Sequence, residues 1–298
     1  MDQTRFQSQY PFRSHFLNIE GFNYHYISEG TGEPVVMLHG NPTWSFYYRH
    51  LITTLKNDYH VIAPDHMGCG LSDKPGEDAY SFTLQRRIED LERLIDHLEI
   101  RQKITLVLHD WGGMIGMGYA VRHPGKIGRL IISNTAAFHL PENKSFPFLL
   151  RLCRDYSIGA FLVRGLNAFS RGAIRLCCKR RPMGRDIRQA YLFPYNSWHN
   201  RLAVLKFVKD IPLEPSDTSY DMVSYTQENL FRFQSLPIMF LWGAKDFVFD
   251  DHFLARWQAY FPKAKTHRFE DAGHYLMEDA HEEIIPLIKQ FIVSNPGG

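Results

Sequence analysis

The sequence predicts an α/β fold: a mostly parallel, doubly wound sheet with a helical cap inserted between two of its strands. Along the first 137 residues, short apolar runs alternate with amphipathic stretches of helical length. That alternation describes strands buried on both faces by crossover helices, and right-handed crossovers make the sheet doubly wound. From 138 to about 233 the alternation lapses into helical runs and aromatics without a convincing strand, and then it resumes. The expected organisation is therefore a core built from 1–137 and 234–298, with 138–233 as a helical cap.

The elements follow in order. Residues 15–19 and 22–28 read as two strands joined at Glu20-Gly21. Residues 35–38 form a short apolar strand that runs into HGNPTW, and 46–55 have helical spacing. Residues 59–63 are another apolar strand, followed by the glycine-rich DHMGCGLSDKPG. A helix is expected over 83–98, with Leu84, Ile88, Leu91, Leu94, Ile95 and Leu98 on one face. A strand at 104–108, a helix at 112–122 and a strand at 126–133 complete the first half. After the insertion come a strand at 238–242, a helix at 251–260, a strand at 266–269 and a helix at 281–293. The insertion should lie over the C-terminal strand edge, where open α/β sheets place their sites.

Composition narrows the functional classes. The chain has 298 residues, 44% hydrophobic and 22% charged, as in ordinary globular proteins. A net charge of +2 gives no reason to expect nucleic acid or an acidic partner for the molecule as a whole. Cys69, Cys153, Cys177 and Cys178 match no zinc or CxxC spacing and are expected to be reduced thiols. No ligand cluster suggests a metal, and no cofactor is expected. MDQTRFQSQYPFRS lacks an apolar core, so no signal peptide is expected. The longest apolar stretch, 104–121, carries His109 and Asp110, which suits a buried strand entering a helix better than a membrane span. A cytoplasmic location, peripheral to the inner membrane face at most, is the expectation.

Chemistry concentrates in four segments. LVLHDWGGM sets Asp110 between a strand and a helix, the position of the nucleophile elbow of the α/β-hydrolase fold, with Asp in place of Ser and Leu108 in place of the first Gly. An Asp there could instead cap the helix. WGAKD ends a strand with Asp246, and DAGH places His274 after the next strand. Nucleophile, acid and histidine thus occur in the chain order of that fold. HGNPTW supplies the remaining loop, making the backbone N–H groups of Asn41 and Trp111 candidate oxyanion donors. A carboxylate attacks carbon and forms an ester. At saturated carbon it must expel a leaving group, whose charge the Trp111 Nε1–H and the Asn41 side-chain amide could hold. Core packing is the other reading of Trp111.

HGNPTW, HDWGG, WGAKD and DAGH together resemble the haloalkane dehalogenases over nearly the whole chain. The resemblance implies Asp110 as nucleophile, His274 as base, Asp246 orienting His274, and Asn41 with Trp111 holding the leaving anion. One branch of that family takes its acid from the strand before the cap. Asn134 stands at that position here, which points to Asp246, with Asp250, Asp251 and Asp271 as nearby alternatives. HGNPTWSFYYR, PDHMGCGLSDKP and FPYNSWHNRLAVLKFVKDIP resemble a narrower group, the β-lactone decarboxylases of bacterial long-chain olefin biosynthesis. That resemblance implies conversion of a cis-3,4-dialkyl oxetan-2-one to a cis-alkene and CO2. Haloalkane hydrolysis is the alternative. Epoxide hydrolysis, with acidic donors from Tyr156, Tyr191 or Tyr195, stands third.

Between 144 and 182 the chain carries nine lysines and arginines against one acid, Asp155, interleaved with large apolar residues. A cap with one buried and one solvated face accounts for this. So does an amphipathic surface that touches anionic lipid or a biosynthetic enzyme complex and admits an apolar small-molecule substrate. No nucleic-acid-binding motif accompanies the charge.

Overall fold

The computed structural model describes residues 6–296, so the first five residues of the segment read for a leader lie outside it. β1 (Ser14–Ile19) and β2 (Phe22–Glu29) form an antiparallel hairpin, and β2 continues antiparallel to β4 (His60–Pro64). From β4 the sheet runs parallel through β3 (Pro34–Leu38), β5 (Ile104–Asp110), β6 (Ile127–Thr135), β7 (Ile238–Gly243) and β8 (Lys265–Phe269).

Every residue of β3, β5 and β7 is buried, because helices cover both faces and each strand presents apolar side chains in both directions. Val36, Leu38, Leu106, Leu108, Leu130 and Ile132 point to one face. There they meet α2 (Leu84–His97), α3 (Trp111–Arg122) and α10 (Asp251–Tyr260). Val35, Met37, Val107, Ile131, Met239 and Leu241 point to the other, against α1 (Arg49–Leu55) and α11 (Leu276–Ser294). Thr83 closes the start of α2 by accepting from Arg86 N, which satisfies one of the orphan amides of a first helical turn.

After β6 the insertion carries α4 (Phe148–Asp155), α5 (Ser157–Arg164), α6 (Ala168–Leu176), α7 (Arg185–Leu192) and α8 (Leu202–Lys209). α9 (Tyr220–Glu228) then packs beside α3, where Arg122 Nη2 reaches Met222 Sδ at 3.6 Å.

Several boundaries differ from those expected, two of them next to the chemistry-bearing residues. α11 begins at Leu276, not at 281, because two helical segments meet at a kink at Ala280 (φ −138°) that interrupts the periodicity. β5 runs on to Asp110, which pairs with Thr135 after a register shift.

Candidate active site

Asp110 ends β5 immediately before α3 and adopts φ 51°, ψ −128°. Such a conformation costs a non-glycine residue roughly 1–3 kcal/mol and persists only where the surroundings enforce it. Here Thr135 Oγ1 donates to the Asp110 carbonyl. A Cβ on Gly40 would strike the Asp110 carboxylate, and one on Gly112 would strike the Leu38 carbonyl, so both glycines let the elbow close on the β3 loop. The Asp110 side chain makes no cap bond to α3. It points instead across the strand ends: Oδ1 accepts from Asn41 N at 2.6 Å, and Oδ2 lies 3.5 Å from His274 Nε2.

His274 occupies the loop between β8 and α11, and its Nδ1 bonds Asp246 Oδ2 at 2.7 Å. Asp246 follows β7, and its Oδ1 accepts from Val248 N at 2.7 Å, which fixes the carboxylate plane. The other acids are committed elsewhere. Asp250 caps α10 and pairs with Lys144, Asp251 pairs with Arg268, and Asp271 pairs with Arg180. Asn134, at positive φ, is a clamp on the β7 end: Oδ1 accepts from Gly243 N at 2.8 Å, and Nδ2 donates to Gly243 O and Phe249 O. It holds the loop that carries Asp246, and its amide could not perform both tasks as a carboxylate.

Burial pulls the His274 imidazole towards neutrality, but Asp246 and Asp110 on either side outweigh it and push it up to about 10. Burial also favours the neutral form of Asp110 and so raises it, but the facing His274 together with the Asn41 amide outweighs that and holds the carboxyl below its usual value. The resting site is thus an imidazolium between two carboxylates.

His109 precedes the nucleophile in HDWGG, and the sequence assigns it no role. Its Nε2–H donates to the His274 carbonyl at 2.8 Å, and its ring lies between Tyr47 (4.5 Å) and His274 (4.6 Å). Burial, then the neighbouring His274 cation, drives it down to about 3.

Two opposite pH windows follow. A histidine in the unfolded chain titrates near pH 6.5. Folded His109 stays neutral to about pH 3, so the unfolded chain binds more protons between those values and stability falls as pH drops. The His274 contribution is complete below 6.5 and lost as pH rises through about 10. We expect His109 alone to remove roughly 2–3 kcal/mol between pH 6.5 and about 4.5. Urea midpoints across pH check this: His109→Gln should flatten the acid limb and leave the alkaline limb, and an unchanged acid limb would refute the assignment.

On the anion side, Asn41 Nδ2 gives one proton to Val204 O on α8 at 3.1 Å, which leaves its second N–H for a ligand. Trp111 borders the cavity with its ring 5.2 Å from Phe207, and its Nε1–H has no partner among the described residues. The backbone N–H of Asn41 is already spent on Asp110. It therefore steadies the nucleophile in this state and is not free for an oxyanion.

These groups lie at the floor of a cavity of about 530 Å³, within the range of small-molecule sites. Asn41, Asp110, Trp111 and His274 supply its polar corner. The walls are apolar, from α4, α5 and α6 and from Phe138, Phe247 and Phe249. Tyr156, Tyr191 and Tyr195 do not line it: Tyr156 is exposed, Tyr191 donates to Glu278, and Tyr195 donates to Thr43 O. An epoxide reading loses its proposed donors. The four cysteines are free thiols. Among the described residues no group of three or more His, Cys, Asp or Glu is placed to hold a metal ion.

Comparison with known proteins fits this geometry. A family described as alpha/beta hydrolase fold matches residues 33–152 and 180–280. The haloalkane dehalogenase DatA of Agrobacterium tumefaciens C58 superposes with a TM-score of 0.84 at 23% identity, covering 95% of this chain and 96% of that one, a likeness of fold. Haloalkane dehalogenase 2 of Mycobacterium tuberculosis is 27% identical over 97% of this chain and 98% of its own length. A cis-3-alkyl-4-alkyloxetan-2-one decarboxylase of Shewanella oneidensis is 54% identical over 282 residues, 95% of this chain and 89% of that protein. A second, from Xanthomonas campestris, is 44% identical over 96% of this chain and 98% of its own. With an aspartate at the elbow, a paired histidine behind it and this degree of identity, the chain belongs to the α/β-hydrolase fold and, within it, to the family of the cis-3-alkyl-4-alkyloxetan-2-one decarboxylases.

Proposed function

We propose that the protein converts a cis-3,4-dialkyl β-lactone to a cis-alkene and CO2. The observation that carries this reading is the 54% identity, over nearly the whole chain, to a protein named for that activity, against 27% to the named dehalogenase. Asp110 attacks the ring carbon that bears the ring oxygen, with inversion. The C–O bond breaks, and the released carboxylate meets Trp111 Nε1–H and the free Asn41 N–H. The bond to that carboxylate then cleaves, and its electron pair forms the alkene as Asp110 is expelled from the opposite side. Inversion followed by anti expulsion is net syn elimination, which keeps the cis geometry. No water enters and no proton is consumed.

The site accommodates this chemistry. The positive charge on His274, 3.5 Å from Asp110, favours that side chain leaving as a carboxylate. The apolar walls suit alkyl chains, since each buried methylene contributes about 0.8 kcal/mol. Gly172, within α6, borders the cavity, and a Cβ there would meet nothing within 4 Å. A mid-helix glycine costs roughly 0.5–1 kcal/mol relative to alanine, and here it leaves room in the lumen. The decisive assay incubates the protein separately with a cis-3,4-dialkyl β-lactone and with 1-bromoalkanes, measuring alkene and bromide. Alkene from the lactone is the expected result. Bromide release without alkene would assign the dehalogenase reaction instead.

A further inference from the structure

The α4–α5 hairpin exposes large apolar side chains that a soluble surface would bury. Phe148 is 74% exposed, Leu149 64%, Ile158 58% and Phe161 54%. Such exposure on two helices packed against each other is the kind of feature that marks an interaction surface. Ile158 and Phe161 stand three residues apart on α5 and share a face. Phe161 also adjoins Trp198, over which the Arg164 guanidinium is placed at 4.6 Å.

The charge around this hairpin sorts itself. Several of the cap's basic residues have acidic partners: Arg154 pairs with Asp155 and Asp217, Lys144 with Asp250, Arg180 with Asp271 and Glu283, Arg181 with Glu282, and Lys206 with Glu77. Arg151 on α4 and Arg171 and Arg175 on α6 are exposed and have no acidic partner among the described residues. An apolar patch beside unpaired arginines is complementary to a surface that is greasy below and anionic above. Phe148 and Leu149 also line the cavity over Asp110 while being largely exposed. The cavity therefore reaches the surface at the apolar patch. Among the described residues no helix is long and apolar enough to cross a membrane, so contact with a bilayer would be made from one side.

We propose that the α4–α6 face of the cap docks on an anionic lipid bilayer, setting the cavity mouth against the acyl region so that alkyl chains pass between bilayer and site without crossing water. The docking stands on the exposed patch and the unpaired arginines. Only the direction of traffic rests on the lactone reading.

Sedimentation with phosphatidylglycerol–phosphatidylcholine vesicles, with pure phosphatidylcholine vesicles as the comparison, tests it. The protein should bind the anionic vesicles at low salt, release as salt rises and bind the neutral ones weakly. Arg171→Glu/Arg175→Glu should weaken anionic binding by more than about 25-fold, since each basic side chain near such a surface contributes about fivefold. Ile158→Ser/Phe161→Ser should weaken binding to both vesicle types. None of these four residues borders the cavity, so turnover of a short-chain substrate in detergent should be unchanged. No binding at low salt, binding indifferent to the charge reversal, or lipid-free dimerisation abolished by Ile158→Ser/Phe161→Ser would each overturn the proposal. Vesicle binding without lactone turnover would remove the reaction and leave the docking; turnover without binding would do the reverse.

Discussion

Asp110→Asn should abolish alkene formation, with a loss of at least about 10⁴-fold, the scale on which removal of a nucleophile acts. The substitution is nearly isosteric. Asparagine tolerates the positive φ of this elbow, and its carbonyl can still accept from Asn41 N. What it lacks is the charge to attack carbon. The fold should survive, because the amide loses only the long contact of 3.5 Å to His274 Nε2. The facing imidazole, deprived of one carboxylate, should titrate lower than about 10. Gas chromatography of the alkene and circular dichroism of the folded variant are sufficient readouts. A well-folded Asp110→Asn protein that turned over within about tenfold of the parent would show that this side chain is not the group that bonds to substrate.

The parts of the fold legible in the sequence are those set by burial on two faces. β3, β5 and β7 announce themselves because no residue in them meets water, and α2 because its apolar stripe faces the sheet. The ordering of Asp110, Asp246 and His274 was legible for a related reason: each ends or follows a strand, and parallel strands bring their C-terminal ends to one edge. The rest depends on contacts between distant segments, which no local period encodes. His109 looks like one more residue of an apolar strand until its Nε2 meets the carbonyl of residue 274. Asn134 earns its place by clamping Gly243, over a hundred positions away. The start of α11 was hidden by the kink at Ala280. Asp279, just before that kink, accepts from the backbone of Gly273 and Lys179 and so ties the early turn to the site loop and the cap. Sequence showed that the cap is basic and apolar; only the structure separates the arginines that pair from those that do not.

His274→Ala should slow turnover by roughly 10²–10⁴-fold and, unlike Asp110→Asn, should let a covalent intermediate accumulate. The reason lies in what the imidazolium does at each step. Attack needs a bare carboxylate, and removing a neighbouring cation leaves Asp110 no less nucleophilic while it stays ionised. Expulsion needs Asp110 to leave as a carboxylate, and the His274 charge 3.5 Å away is what favours that product. The second step should therefore suffer more than the first. Because CO2 departs only in the second step, the trapped ester adds the mass of the intact lactone to the protein, on Asp110. A dehalogenase intermediate would instead carry the alkyl group without its halide. Alanine leaves Asp246 buried without its partner, at a cost of about 1–3 kcal/mol, so His274→Gln is the better companion: its amide can still donate to Asp246 but brings no charge. Both variants should show the adduct by intact mass. Undiminished turnover in a folded His274→Gln protein, with no adduct, would mean that the elimination proceeds without help from the imidazolium.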